Sequence, residues 1–381
     1  MARIVFGTYM VRYPLGGALS SALQWLLGLE ALGHEVYVVE KSGWRWSCFD
    51  PVRGVMSDDC EHGFRVVDRL LERFGLAGRL CYVDAEGRYH GLSRTAVERV
   101  IASADLFIDR GAHGSWNEEA AHAGASLLID PDPGWRQIQM QERIARGETL
   151  PAYDHYVTVG LNVGTDRSPT PTALRSWKHM LPPVATEHLR PIPDHPGGKV
   201  TTVMAWRAHQ EVEYDGRVYG QKDAEFERFL DLPRSVSVPL EVAVGGAAPR
   251  ERLAEHGWAV RDGHEVTASC DSYWDYVRSS RAEFSACKNV FVSLNTGWFS
   301  DRTAAYLASG RPAIVQETGF SAHLPCGDGL FAVGDVDAAA QAIEAIESDY
   351  QRHARAAREL ACELFDARAV LGRLLDEVGG G

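Results

Sequence analysis

Residues 4–6 (Ile-Val-Phe) form a short unbroken apolar run. After a loop with Gly16 and Gly17, the apolar positions change to helical spacing, with Leu19, Leu23, Leu26 and Leu29 on one face. Gly33 stops that helix, and residues 34–40 (HEVYVVE) read as a second strand. Strand, helix and strand in such quick succession imply a right-handed parallel crossover. Further apolar runs at 80–83, 106–109, 126–130 and 155–159, most of them preceded by helical patterns such as 66–74 and 96–104, predict a parallel α/β sheet for the first half.

The pattern then restarts. Strands are predicted at 200–205, 240–244, 258–261, 282–285, 313–316 and 330–333, and helices at 223–230, 250–256, 273–278, 301–308 and 336–346. A hairpin is expected around Asp215-Gly216. Of the 17 prolines, seven (169, 171, 182, 183, 191, 193 and 196) separate the two halves, where missing backbone donors oppose helix and central strand alike. The expected organisation is an N-terminal α/β domain over 1–164, a proline-rich linker over 165–198, a C-terminal α/β domain over 199–349, and helices over 350–381 that are free to cross back to the first domain. Each half is large enough to bury its own core.

Composition narrows the partners. The 381 residues are 45% apolar and 24% charged, as in ordinary folded proteins. Lys and Arg total 39 against 52 Asp and Glu, a net charge of −13. Nucleic acid and anionic membranes both demand a basic surface, so neither is an expected partner. Affinity for phosphate has to come from a few placed cations. The seven cysteines are odd in number and widely spaced without a C-x-x-C pair, which is cytosolic usage. No signal peptide is evident at the start, and the most apolar later stretch, 18–32, is too short and too polar to span a membrane. A cytoplasmic location is expected.

Several chemistries are disfavoured because G-x-G-x-x-G after the first strand, G-x-x-x-x-G-K-[ST], G-x-S-x-G and H-E-x-x-H are all missing. Asp130-Pro131-Asp132 can be read as a pair of metal-binding carboxylates or as a strand-end turn. The turn is the commoner use, and no metal site is assigned. The informative stretch is 285–320, SACKNVFVSLNTGWFSDRTAAYLASGRPAIVQETGF. Ser300 is a good N-cap for the helix beginning at Asp301, and a helix start with unpaired N–H groups suits a phosphate. Asp301 itself also stabilises a helix start without any ligand.

The order strand, helix, small-Gly-Arg-Pro, strand and Glu317-Thr318-Gly319-Phe320 resembles the donor half of GT-B glycosyltransferases, which have two facing α/β domains. GWFSDRTAAYLASGRPAIVQETGF (297–320) is particularly similar to a bacterial group of family-one-like enzymes. YGQKDAEFERFLDLP (219–233), SRAEFSACKN (280–289), DPDPGWRQIQ (130–139) and LEALGHEVYVVE (29–40) fit as well. The resemblance implies two Rossmann-like domains facing a cleft, and transfer of a sugar from a nucleotide diphosphate to a hydroxyl or amine of a small or lipid-like acceptor, without metal. The nucleotide sugar is a co-substrate, and no cofactor is implied. Gly297, Ser300 and Arg302 are then candidates for the donor phosphates, Glu317, Thr318 and Gly319 for ribose or sugar hydroxyls, and Lys222 and Lys288 for the charge on the leaving diphosphate. The two lysines read equally well as solvated surface residues when taken singly. The E-x7-E pair of the commonest retaining enzymes is missing, which leans toward inversion.

Inversion requires a base on the N-terminal side, at strand ends facing the cleft. Asp132 and His113 are the candidates; each also has a bland reading, a turn former and a loop histidine. Trp135, Trp206 and Trp298 suit stacking on a base or sugar, or plain burial. Two other functions fit the same architecture: a nucleotide-sugar epimerase, and a catalytically silent protein that binds a glycan or a partner.

Overall fold

A computed structural model describes residues 1–112, 114–192 and 198–379. His113, and with it one candidate base, lies outside the described residues, as do Pro193 and Pro196 of the proline-rich segment.

The chain builds two parallel sheets. The first has eight strands, in the spatial order Lys178–His179, His155–Thr158, Ser126–Asp130, Leu106–Asp109, Arg3–Gly7, Glu35–Lys41, Leu80–Val83 and Tyr89–Gly91. All its pairings are parallel except the last, where Tyr89–Gly91 folds back on Leu80–Val83 as a hairpin edge. The second has six parallel strands: Ala259–Asp262, Leu240–Gly245, Val200–Ala205, Ala282–Ser285, Ala313–Gln316 and Leu330–Val333. In chain order the second sheet reads 3-2-1-4-5-6, and the parallel core of the first repeats it. This is the doubly wound arrangement, in which the strand order reverses beside the first strand and leaves a crevice at the carboxyl ends. The reversal points are Arg3–Gly7 against Leu106–Asp109 in one half and Val200–Ala205 against Ala282–Ser285 in the other.

Strands buried on both faces need continuous apolar runs, and both sheets have them. Ile4, Val5 and Phe6 are fully buried, as are Val242, Ala243 and Val244. The hairpin Val212–Tyr214/Arg217–Tyr219 turns at Asp215 and Gly216, both at positive φ (51° and 68°), which the Asp-Gly pair tolerates.

The two halves pack against each other through apolar contacts. Ile138 of the helix Trp135–Ala145 is clustered with Val212, Tyr219, Val290, Phe291 and Leu294 of the second half. On the other side of the cleft, the start of helix Gly16–Ala31 sits against the loop before helix Cys270–Ser279. The Gly16 N–H donates to the Thr267 carbonyl at 2.7 Å, and a Cβ on Gly16 would lie 2.1 Å from the Ser269 oxygen, so only glycine fits there.

The proline-rich segment lies along the first half and adds the short strand Lys178–His179 to its sheet. Further on, Val184 pairs with the break in the C-terminal helices: its N–H donates to Phe365 O at 2.8 Å, and its carbonyl accepts from Ala367 N at 2.9 Å. Past that break, helix Ala367–Gly379 packs on helix Gly16–Ala31, so tightly that a Cβ on Gly28 would be 2.7 Å from Ala367 Cβ. Among the described residues no helix is long and apolar enough to cross a membrane.

Candidate functional site

Both reversal points open onto one cavity of about 500 Å³ between the halves. The first half contributes Tyr9, Gly17, Ser21, Arg110 and Asp132, and the second contributes Gln221, Lys222, His264, Lys288, Ser300 and Arg302.

Gln221 and Lys222 stand where a strand turns into the short helix Lys222–Phe226. Their backbone is pinned by Asn289, whose Oδ1 accepts from Gly220 N at 2.9 Å and whose N–H donates to Gln221 O at 3.2 Å. Both side chains line the cavity, and among the described residues neither has a protein partner there. Gln221 is only 2% exposed, yet its amide oxygen and nitrogen have no partner. Lys222 has no carboxylate in ion-pair range among the described residues. Burial, helped by the nearby Arg302 and Lys288 charges, lowers its pKa from 10.5 to about 7. A buried amide without partners and a desolvated ammonium without a counter-ion are both costly. A bound anion with acceptor oxygens removes both costs at once.

The other cations are occupied. Lys288 reaches across the cleft to Asp132 Oδ1, and His209 Nε2 bonds Asp132 Oδ2 at 3.1 Å. Burial pushes the Asp132 carboxyl up, but Lys288 and His209 more than offset this and hold it well below the usual carboxylate range. A carboxylate so held is a weak proton acceptor. Arg302 lies deeper and spans the second reversal point. Its Nε bonds the fully buried Glu283 at 2.5 Å, Nη1 the Val203 carbonyl at 2.9 Å, and Nη2 Ser285 Oγ at 2.6 Å. It braces the sheet ends beneath the cavity, and its charge bears on Lys222. Ser300 caps the helix Asp301–Ala308 by accepting from Arg302 N. Asp301 bonds Ser21 across the cleft, and Arg110 donates to the same Ser21 Oγ at 2.6 Å.

Gly297, Glu317, Thr318 and Gly319 are not in the cavity wall. They form a seam between the halves, packed on Asn162. Gly297 (φ 71°) and Gly319 (φ 95°) would each place a Cβ within 3 Å of Asn162 atoms. The Thr318 hydroxyl donates to the Trp298 carbonyl at 2.7 Å, and Glu317 Oε1 accepts from Gly319 N at 2.5 Å. The carboxylates of Asp130 and Asp132 diverge: Asp130 is held by Gln137 and Thr158 inside the first half, and Asp132 faces the cleft. Of the tryptophans, Trp298 lines the cavity and donates to Pro131 O at 3.2 Å, Trp135 stacks on His209 at 4.4 Å, and Trp206 is buried against Phe226.

Sequence reasoning passed over Gln221, Tyr9, Arg110 and His264. Gln221 was within reach, as the neighbour of a lysine already singled out. Arg110 directly follows a predicted strand end. Tyr9 and His264 carry no local signal.

No family model and no curated protein matches the chain. Solved structures do. Anabaena HepE in complex with UDP-glucose superposes with a TM-score of 0.61 at 11% identity, over 100% of both chains. AviGT4, a glycosyltransferase involved in avilamycin A biosynthesis, gives 0.57 at 12% identity, over 99% of this chain and 97% of its own. An alpha-glucosyltransferase in complex with UDP and a 13-mer DNA gives 0.60 at 9%, over 99% of each. The fold is that of the GT-B glycosyltransferases. Its cleft, between the carboxyl ends of two doubly wound sheets, is where Gln221 and Lys222 are left unpaired.

Proposed function

We propose that this protein is a glycosyltransferase that moves a sugar from a nucleoside diphosphate to a hydroxyl or amine of a small or lipid-like acceptor. The observation that carries the reading is the adjacent pair in the cleft wall: the buried Gln221 amide without a hydrogen-bond partner and the Lys222 ammonium without a carboxylate in ion-pair range among the described residues. The fold supports it, since two solved proteins that share the fold are described as complexes with UDP or UDP-glucose. Lys222 neutralises the charge that develops on the leaving diphosphate, and the Gln221 amide donates to its oxygens or to a sugar hydroxyl. As the donor enters, Lys288 turns from Asp132 to the diphosphate. Asp132 loses the first of the two partners that hold its pKa down, keeps His209, and becomes the proton acceptor for the incoming acceptor group.

Metal-free transfer follows from the same residues. Lys222 and Lys288 supply the positive charge, and the Asp130 and Asp132 carboxylates point to separate partners. The net charge of −13 favours acceptors other than nucleic acid. The test is calorimetry with UDP-, dTDP- and GDP-linked sugars, followed by product analysis with and without acceptor. Binding of one donor, with transfer only when acceptor is present, is the expected result. An altered sugar from donor alone would indicate an epimerase, binding without turnover a silent protein, and no binding would sink the proposal.

A further inference from the structure

Away from the cleft, at the hairpin edge of the first sheet, Cys60, Asp84 and His90 bring three metal-ligating atoms together. Cys60 precedes the 13-residue helix Glu61–Arg73, yet its side chain makes no capping hydrogen bond. Asp84 and His90 belong to the hairpin formed by Leu80–Val83 and Tyr89–Gly91. His90 Nε2 lies 3.7 Å from Cys60 Sγ and 3.0 Å from Asp84 Oδ2, and all three donor atoms are within 4.8 Å of one another. We propose that these residues form a zinc site that joins the start of helix Glu61–Arg73 to the edge hairpin, with water in the fourth position.

The geometry suits a shared ion better than a proton relay. Sulfur and carboxylate both approach the same ring nitrogen, and one N–H can point at only one of them. A relay uses the two ring nitrogens separately. Zinc bonds of about 2.0–2.3 Å at tetrahedral angles set neighbouring donors roughly 3.3–3.7 Å apart, and the two spacings from His90 Nε2, 3.7 Å to Cys60 and 3.0 Å to Asp84, lie close to that range. The carboxylate is also fixed in the way ligating carboxylates usually are. Asp84 Oδ1 accepts from the N–H groups of Glu86 and Arg88, both at 2.9 Å, while Oδ2 accepts from Arg88 Nε at 2.7 Å. The His90 ring is held near Phe64 and Tyr82, with centroids 5.9 and 6.0 Å away. Cys60 and Asp84 are buried, and the His90 side chain is 33% exposed, which leaves an entry path and room for the water ligand. A thiolate with an imidazole selects zinc over magnesium or calcium. Binding displaces the thiol proton to solvent, so charge balances as Zn²⁺ against one thiolate and one carboxylate.

The site is independent of the transfer reaction, and so is its test. The full-length protein, stripped with chelator and dialysed, is titrated with Co²⁺ and then Zn²⁺. The expected result is a thiolate-to-cobalt charge-transfer band that saturates at one ion per chain and disappears when zinc displaces cobalt, with zinc raising the melting temperature. Cys60→Ser should abolish the band and the zinc-dependent rise in melting temperature. His90→Ala, at a partly exposed ring, should fold normally and weaken cobalt binding by about tenfold or more. No band in the wild type, a band that survives Cys60→Ser through the exposed Cys326 or Cys362, or unchanged affinity in His90→Ala would each overturn the proposal.

Discussion

Replacing Lys222 with methionine should make the protein more stable and deprive it of its donor. In the free protein this ammonium titrates near 7, against an ordinary 10.5, because it is desolvated and faces other cations. Below pH 7 the folded state carries the full cost of the buried charge. Between about 7 and 10.5 the unfolded chain binds more protons than the folded one, so stability rises with pH, and above 10.5 the cost is gone. At neutral pH the fall corresponds to on the order of 4 kcal/mol, at 1.36 kcal/mol per pKa unit. Methionine keeps most of the apolar stem and removes that charge. Lys222→Met should therefore melt higher at pH 7, and the difference should shrink toward pH 10. Donor affinity should fall about 10- to 150-fold, the equivalent of the roughly 1.5–3 kcal/mol of a hydrogen bond to a charged group. Wild-type affinity for UDP-glucose should be level below pH 7 and drop by up to tenfold per pH unit above it, because binding then requires proton uptake. Calorimetry in buffers of different ionisation enthalpy measures that uptake directly. If Lys222→Met bound donor within threefold of wild type and melted no higher, the assignment of this lysine to the diphosphate would be wrong.

Gln221→Leu removes the same kind of strain in neutral form. It should raise the melting temperature of the free protein and lower donor affinity by about three- to tenfold, both readable in one thermal-shift titration. Asp132→Asn should leave donor binding within a few-fold and cut turnover by about 10²–10⁴, the usual weight of a general base; unchanged turnover in a steady-state assay would remove Asp132 from that role. Gly16→Ala cannot place its methyl 2.1 Å from the Ser269 oxygen, so the two halves must separate slightly there. Lower stability in a urea melt and a raised KM are expected. Short incubation with EDTA well below the melting temperature should leave transfer intact, because no metal is assigned to the diphosphate.

The strands were the legible part. A strand buried on both faces is rich in apolar residues, so 80–83, 106–109, 126–130, 200–205, 282–285, 313–316 and 330–333 could be bounded from sequence to the residue, even where buried Thr201, Thr202 or Glu283 interrupts the run. The helix Trp135–Ala145 went unread because its hydrophobic face is sparse and is completed only by Val212, Phe291 and their neighbours from the other half. The edge strand Tyr89–Gly91 is short and only half-buried, with no apolar run to reveal it. The cleft residues were legible where they sit beside helix starts, as Lys222 and Ser300 do. Seam glycines are harder to interpret. Gly297 and Gly319 look like loops cleared for a ligand, yet what they admit is the chain itself: the Asn162 backbone at Gly297, and the Asn162 and Asn295 side chains at Gly319. That Lys288 and Asp132 face each other across the cleft is invisible to any local pattern, since 156 residues separate them.

The packing of the last helix on the first bears on synthesis. Helix Gly16–Ala31 leaves the ribosome more than 300 residues ahead of Ala367 and Leu371, which cover it at Gly28. At about 5–20 residues per second, the intervening stretch takes some tens of seconds to translate. Throughout that interval the part of the helix around Gly28 stays open. The nascent chain therefore passes through a long window of exposure to chaperones and to aggregation. A chain cut ahead of Ala367 would stay in that window permanently, even with every cleft residue present.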